Sequence, residues 1–166
     1  MGLILTCCVT GHRILPEGQS AYVRDALARE VDAALGAGYT RFFSGFAQGA
    51  DLLFTREVAR RRREDPAIEL EAAIPYRGRW QRLQAQADTR ALLAACTRVH
   101  ILSEGYAPYV FMLRNRFMIA HSQRLIAVYD GRQEGGTVAT LAMALKAELE
   151  IREILLPPEA PKAAPR

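Results

Sequence analysis

Two hydrophobic patterns alternate along the chain: short continuous apolar runs, and longer stretches whose apolar positions recur every three or four residues. The run 3–9 predicts a strand, followed by the turn-like Thr10-Gly11-His12-Arg13. Ser20 is expected to cap a helix over about residues 21–36, with Tyr22, Val23, Leu27, Val31 and Leu35 on one face and Gly36 and Gly38 ending it. A short strand at 41–44 leads through Gly45-Phe46-Ala47-Gln48-Gly49 into a helix reaching about residue 63. The third strand, 68–74, closes at Pro75, and 78–95 is predicted as a single helix. A fourth strand at 98–102 precedes a helix at 108–121 with proline in its first turn. The fifth strand is 124–129, and Thr137 is expected to cap a helix over 137–149 that precedes a sixth strand at 151–155. The tail 157–166 holds four prolines in ten residues and is expected to be disordered. This alternation predicts one α/β domain over residues 1–156, a Rossmann-like three-layer sandwich with a mainly parallel sheet of about six strands.

Composition changes this picture little. A length of 166 residues fits one domain, and 22 basic against 18 acidic residues give a net charge of +4. Lys146 and Lys162 are the only lysines, so the basic residues are nearly all arginine. That bias fits phosphate recognition, where a guanidinium fork matches two oxygens, and equally a GC-rich genome. Cys7, Cys8 and Cys96 make no disulfide framework and form no spaced set with His12, His100 and His121, so no metal site is expected and a reducing interior fits. The start of the chain has neither a basic leader nor a cleavage site, and no run reaches the ~20 apolar residues of a membrane span. A cytoplasmic protein without a membrane partner is therefore expected. The basic run 60–63 is expected to be a solvated helix end, because no aromatic side chain is interleaved with it.

In a parallel sheet of this kind ligands bind outside the carboxyl ends of the strands. The segments following the strands are Thr10-Gly11-His12-Arg13, Ser44-Gly45 with Gly49-Ala50-Asp51, Pro75 to Trp80, Ser103 to Tyr106, and Asp130 to Thr137. Each contains glycine and a side chain able to bond an anion or a base. Gly135-Gly136-Thr137 is the most pointed: two glycines open the backbone to a ligand at a helix N-terminus, where unpaired amides and the dipole favour a phosphate. In the helix 108–121, Asn115 falls on the apolar stripe with Phe111, Met112, Met118 and Ile119, where it needs a partner in the backbone or a ligand. Arg114 and Arg116 are expected either to bind ligand or to lie with their stems on the apolar face and their heads in water.

The ordered set Val9-Thr10-Gly11-His12-Arg13, Ser44 to Asp51, Trp80, Arg114 to Met118 and Tyr129-Asp130-Gly131 through Gly135-Gly136-Thr137 resembles the YpsA-type branch of the SLOG superfamily, which is named for the Smf/DprA and LOG proteins. The likeness covers about residues 4–155. It implies a Rossmann-like fold that binds a nucleotide or nucleotide-derived ligand at the strand ends, with Thr10, Gly11, Ser44, Gly45, Asp51, Arg116, Gly135, Gly136 and Thr137 at motif positions. LOG enzymes cleave an N-glycosidic bond with a Pro-Gly-Gly-x-Gly-Thr loop and a glutamate a few residues on. Here Glu134-Gly135-Gly136-Thr137 has no proline and is followed by no acid before Glu148, which leaves Asp51 and Asp130 as the loop-edge carboxylates able to do such work.

The expected function is binding of a nucleotide-type small molecule, as a sensor or carrier without strong catalysis and with no cofactor required. Hydrolysis of an N-glycosidic bond in a nucleoside monophosphate or ADP-ribose-like molecule is the alternative, and a single-stranded DNA-binding accessory role the second. The expected ligand residues are Thr10, Gly11, His12, Arg13, Ser44, Gly45, Gly49, Asp51, Trp80, Asn115, Arg116, Asp130, Gly135, Gly136 and Thr137. A homodimer is compatible with the apolar stripe of the helix 108–121, and nucleic acid is not expected as a partner.

Overall fold

The continuous apolar runs become strands, of which the inner ones are buried on both faces, as parallel sheets covered by helices require, while the two edge strands are more exposed. The computed structural model describes residues 2–157. In chain order these form β1 (Leu5–Gly11), α1 (Ser20–Gly36), β2 (Tyr39–Ser44), α2 (Ala50–Glu64), β3 (Glu69–Ile74), α3 (Arg77–Ala85), α4 (Ala87–Ala94), β4 (Arg98–Ile101), α5 (Val110–Ala120), β5 (Arg124–Tyr129), α6 (Gly136–Lys146) and β6 (Glu150–Leu155). The sheet is parallel throughout, in the order β4-β3-β2-β1-β5-β6. The architecture is the Rossmann-like α/β sandwich that the alternation predicts.

Strand parity sorts the core. Cys7, Val9, Phe42, Leu70, Ile126 and Val128 point to one face and pack with α1 and α2 through Val23, Leu27, Phe54 and Val58. Cys8, Phe43, Ala73, Leu125 and Ala127 point to the other, where Met118 and Ile119 of α5 and Leu141 and Ala144 of α6 cover them. A third cluster joins Ala72 and Ile74 to Leu83 of α3, Leu93 of α4 and the ring of Phe46. Both adjacent cysteines are core residues, one on each face.

Several expectations are corrected. The single helix predicted over 78–95 is two, because Gln86 is extended (φ −104°, ψ 132°) between α3 and α4. Ser20 and Thr137 are not caps: Gln19 occupies the cap position of α1 and Gly135 that of α6, each without a side-chain cap bond. Tyr22 faces outward, its hydroxyl donating to the Leu155 carbonyl at 3.3 Å. The basic run at the end of α2 is only partly solvated. Arg61 is buried, its guanidinium donating to Asp32 at 2.6 Å, to Glu57 at 2.6 Å and to the Ala28 carbonyl at 3.0 Å. It therefore ties α2 to α1 through bonds to charged groups, the stronger kind. The expectation of a disordered tail concerns residues of which 158–166 lie outside those described. Among the described residues no helix is long and apolar enough to cross a membrane.

Candidate functional site

Strand order reverses at β1. That strand and its neighbour β5 are followed by helices, α1 and α6, that pack on opposite faces of the sheet, and the crevice at their carboxyl ends is where ligands sit in open α/β sheets. At this point the carboxyl ends of β1 and β5, the start of α2 and the inner face of α5 enclose a crevice of two adjoining lobes. One, of about 290 Å³, is lined by Arg13, Arg79, Arg82 and Arg114 together with Tyr76, Phe111, Ala47 and Gln48. The other, of about 270 Å³, lies over the end of β1. It brings together Thr10, Gly11, His12, Arg13 and Asp51 with Asn115, Gly136 and Thr137, while Arg13, Ala47, Phe111 and Arg114 border both lobes.

The loop between β2 and α2 sets the floor of this crevice. Phe46 adopts a left-handed φ of 54°, a strained conformation for a bulky residue. It is held there by full burial of its ring and by its amide donating to the Ser44 hydroxyl at 3.1 Å. Thr55 donates to the same hydroxyl oxygen at 2.6 Å, so Ser44 is fully buried and engaged within the protein. The loop thus presents Asp51, 4 % exposed, at the first turn of α2, where a carboxylate suits the helix dipole. Burial pushes the Asp51 carboxyl up to about 6 from its ordinary 3.8, although Arg114 and the Ala47 amide, which donates at 3.3 Å, favour its charged form.

That shift has a testable sign. The folded state holds the Asp51 proton more tightly than the unfolded chain does, so the associated stability is present below about pH 4 and lost as pH rises through 6. The stability difference between the parent chain and Asp51→Asn is therefore expected to move against the parent by about 3 kcal/mol from pH 3 to pH 7. Urea melts across that range measure it, and a pH-independent difference would show that Asp51 titrates normally.

Arg114 packs against this floor, 6 % exposed, donating to the Gly45 carbonyl at 3.2 Å and to the Asn115 side-chain oxygen at 3.1 Å. Burial lowers its pKa, with Asp51 opposing and Arg13 and Arg79 adding to the effect. Asn115, 8 % exposed, uses its oxygen for that bond and lines the second lobe, and its amide nitrogen has no protein partner among the described residues. The buried amide is the one expected from the apolar stripe.

His12 Nε2 lies against Asp130, 3.1 Å from its amide nitrogen and 3.2 Å from its carboxylate Oδ1. Burial, followed by the nearby charge of Arg132, lowers its pKa and agrees with a neutral imidazole. Asp130 is clamped by Arg132, with bonds of 2.9 and 2.6 Å that hold its carboxyl well below the usual range.

The expected residues divide accordingly. Thr10, Gly11, His12, Arg13, Asp51, Asn115, Gly136 and Thr137 meet in one lobe. Ser44, Gly45 and Gly49 lie behind it as packing and turn residues, and Asp130 and Gly135 border the loop without lining either lobe. Trp80 packs against the cluster of α3 and α4. Arg116 is corrected: it is exposed on the opposite side of α5, with Leu113 and Phe117, and Arg114 takes the place expected of it. The reading of Arg114 as a head in water falls with the same observation.

Arg82 and Phe111 escaped the sequence reading of the site, and Arg79 fell within the expected segment 75–80 without being named as a ligand residue. One local signal was available: Arg79 lies in the first turn of α3, where a cation opposes the helix dipole and needs another reason to be there. Among the described residues no cluster of three or more His, Cys, Asp or Glu could hold a metal ion.

Comparison with known proteins bears on this crevice. A family model described as the YspA SLOG family matches residues 8–154. No curated protein matches. Among solved structures, DNA processing protein A from Helicobacter pylori, reported for its single-stranded DNA binding mode, superposes with a TM-score of 0.65 at 17 % identity, over 93 % of this chain and 67 % of its own. The likeness is one of fold. It overturns the expectation that nucleic acid is no partner, since a protein sharing this fold binds single-stranded DNA.

Proposed function

The chain belongs to the YspA SLOG family, and from that premise we propose that its crevice binds a phosphate-bearing nucleotide or nucleotide-derived ligand, as a sensor or carrier rather than by strong catalysis. The observation that carries this reading is the joined crevice at the strand switch, arginine-lined in one lobe and bordered in the other by the N-terminus of α6 with Gly136 and Thr137. Helix-terminal amides and guanidinium forks both suit phosphate oxygens. Neither candidate carboxylate is placed as a free base: the Asp130 carboxylate is held by Arg132, and that of Asp51 accepts from the loop amide beneath it.

A 5′-nucleotide is expected to stabilise the fold in a thermal-shift panel by about 2.7 kcal/mol at 100-fold excess over its dissociation constant, and the matching nucleoside by much less. Equal shifts from the two would reject a phosphate site. Release of free base or ribose phosphate during the same incubation would move the reading to N-glycosidic hydrolysis.

A second reading is single-stranded DNA binding, which the likeness to DNA processing protein A favours together with the mixture of arginines and aromatic rings around Phe111. Its signature is affinity that falls steeply with salt, in proportion to the number of phosphates contacted.

A further inference from the structure

Four guanidinium groups, those of Arg13, Arg79, Arg82 and Arg114, line one lobe, and no carboxylate lines it with them. They arrive from three separate segments of the chain: the end of β1, the helix α3 and the helix α5. Their donors are largely uncommitted, although each guanidinium carries five N–H groups. Arg79 donates to the Phe46 carbonyl at 3.1 Å, Arg82 to the Tyr76 hydroxyl, and Arg114 to Gly45 and Asn115. The Arg13 guanidinium lies 5.0 Å from the centre of the Phe111 ring. Burial, and then the neighbouring Arg82 and Arg13, disfavours the charge of Arg79, and Arg114 is disfavoured by burial and by Arg13 and Arg79. Asp51 in the adjoining lobe offsets part of the charge of Arg114, but no carboxylate lines the arginine lobe itself, so the four charges form a seat that an anion would neutralise. It is separate from the α6 N-terminus, which borders only the other lobe.

The size of the crevice points the same way. Ligand pockets usually span about 300–1,000 Å³, and each lobe, at about 290 and 270 Å³, falls just short of that range while the joined crevice lies within it. Phe111 stands at the waist, in edge contact with Tyr76 at 6.3 Å and Tyr106 at 6.5 Å. Asn115, whose amide nitrogen has no protein partner among the described residues, lines the second lobe.

We propose that the crevice has two anion seats, one at Arg13, Arg79, Arg82 and Arg114 and one at Gly136 and Thr137, and that its ligand is a nucleoside carrying two separated phosphate groups. This inference rests on the crevice being a nucleotide site. The same phosphate–nucleoside–phosphate unit occurs in a free nucleoside 3′,5′-bisphosphate and in one internal step of a single DNA strand.

Calorimetric titration of the full chain with adenosine, adenosine 5′-monophosphate, adenosine 3′,5′-bisphosphate and a dodecamer of deoxyadenosine tests it. The bisphosphate is expected to bind about 10-fold or more tightly than the monophosphate, a ratio within reach of one additional bidentate guanidinium contact. The double variant Arg79→Gln/Arg82→Gln is expected to remove that advantage, so that bisphosphate and monophosphate bind it alike. Arg82→Gln alone, at an exposed position that lines only the arginine lobe, gives the same readout if the double variant melts early. Tighter, salt-dependent binding of the dodecamer, abolished by the same substitutions, assigns the unit to a strand; bisphosphate binding equal or tighter assigns it to a small molecule. Monophosphate and bisphosphate binding alike in the parent would overturn the second seat and leave the nucleotide reading standing. Binding of none of the four probes would remove both.

Discussion

Gly49→Ala is expected to destabilise the chain by about 4 kcal/mol, among the largest effects available to the removal of a single glycine. Gly49 adopts φ 77° and ψ −123°, a region that glycine enters freely and side-chain-bearing residues rarely do. A Cβ there would lie 2.5 Å from the His12 carbonyl oxygen and 2.6 Å from that of Arg13. Both obstacles are backbone and cannot swing aside as a side chain would. The His12 carbonyl also accepts the Ala50 amide at 3.4 Å, and the His12 amide donates to Val128 at 3.2 Å, so retreat of that loop would loosen the joint between β1, β5 and α2. Gly136→Ala is the matched control. A Cβ at Gly136 meets nothing within 4 Å and its φ is not in the left-handed region, so stability is expected to change by less than about 0.5 kcal/mol. Urea melts of the two variants decide the matter, and a Gly49→Ala chain as stable as the parent would mean that the loop takes another backbone path.

Arg114→Ala is expected to cost about 3 kcal/mol at neutral pH, and less as the pH falls. The substitution removes the bonds to Gly45 and Asn115 and takes the nearest compensating charge from the buried Asp51. Relief of repulsion with Arg13 and Arg79 offsets part of that loss. Without Arg114 the Asp51 carboxyl moves further up from about 6, so the uncompensated charge matters above that pH and disappears once the carboxyl is protonated. The sign is fixed by linkage: a raised folded-state pKa gives stability at low pH that is lost through the folded pKa. The penalty is expected to be larger at pH 8 than at pH 5 by about 1.4 kcal/mol for each unit by which the Asp51 pKa rises. Denaturant melts at the two pH values provide the comparison. An equal penalty at both would reduce Arg114 to a packing residue uncoupled from Asp51.

Much of the scaffold was legible in the order of residues, because strands buried on both faces must be continuously apolar and the helices between them must repeat at 3.6 residues. The run at the start of the chain, the alternating parity that sends Cys7 and Cys8 to opposite faces, and the run Arg124–Tyr129 are local consequences of that rule. So is the placement of glycine-rich connections at one edge of the sheet. The site was legible to the extent that it is made by those connections, which is why Thr10 to Arg13, Asp51 and Gly136-Thr137 meet in one lobe.

What the order of residues alone determined is therefore the layers, the edge at which a ligand would sit, and the family to which the chain belongs. The choice between Arg114 and Arg116 was beyond it. Two positions along a helix turn the side chain by about 200°, so which arginine enters the crevice depends on how α5 is rotated against the sheet. Arg61 at the end of α2 is decided in the same way, since its partners Asp32 and Ala28 belong to α1. The break at Gln86 came from packing two short helices onto β3 and β4, through Leu83 and Leu93. The arginine lobe is mostly tertiary: the order of residues places Arg13 and the segment 75–80 at this edge, but not Arg82 or Arg114. Residues 13, 79, 82 and 114 come together because the strand order turns back at β1, bringing the end of β1, one side of α3 and the inner face of α5 to one crevice. Spacing along the chain carries no trace of that convergence, for the charges meet through the topology of the sheet and not through any local repeat.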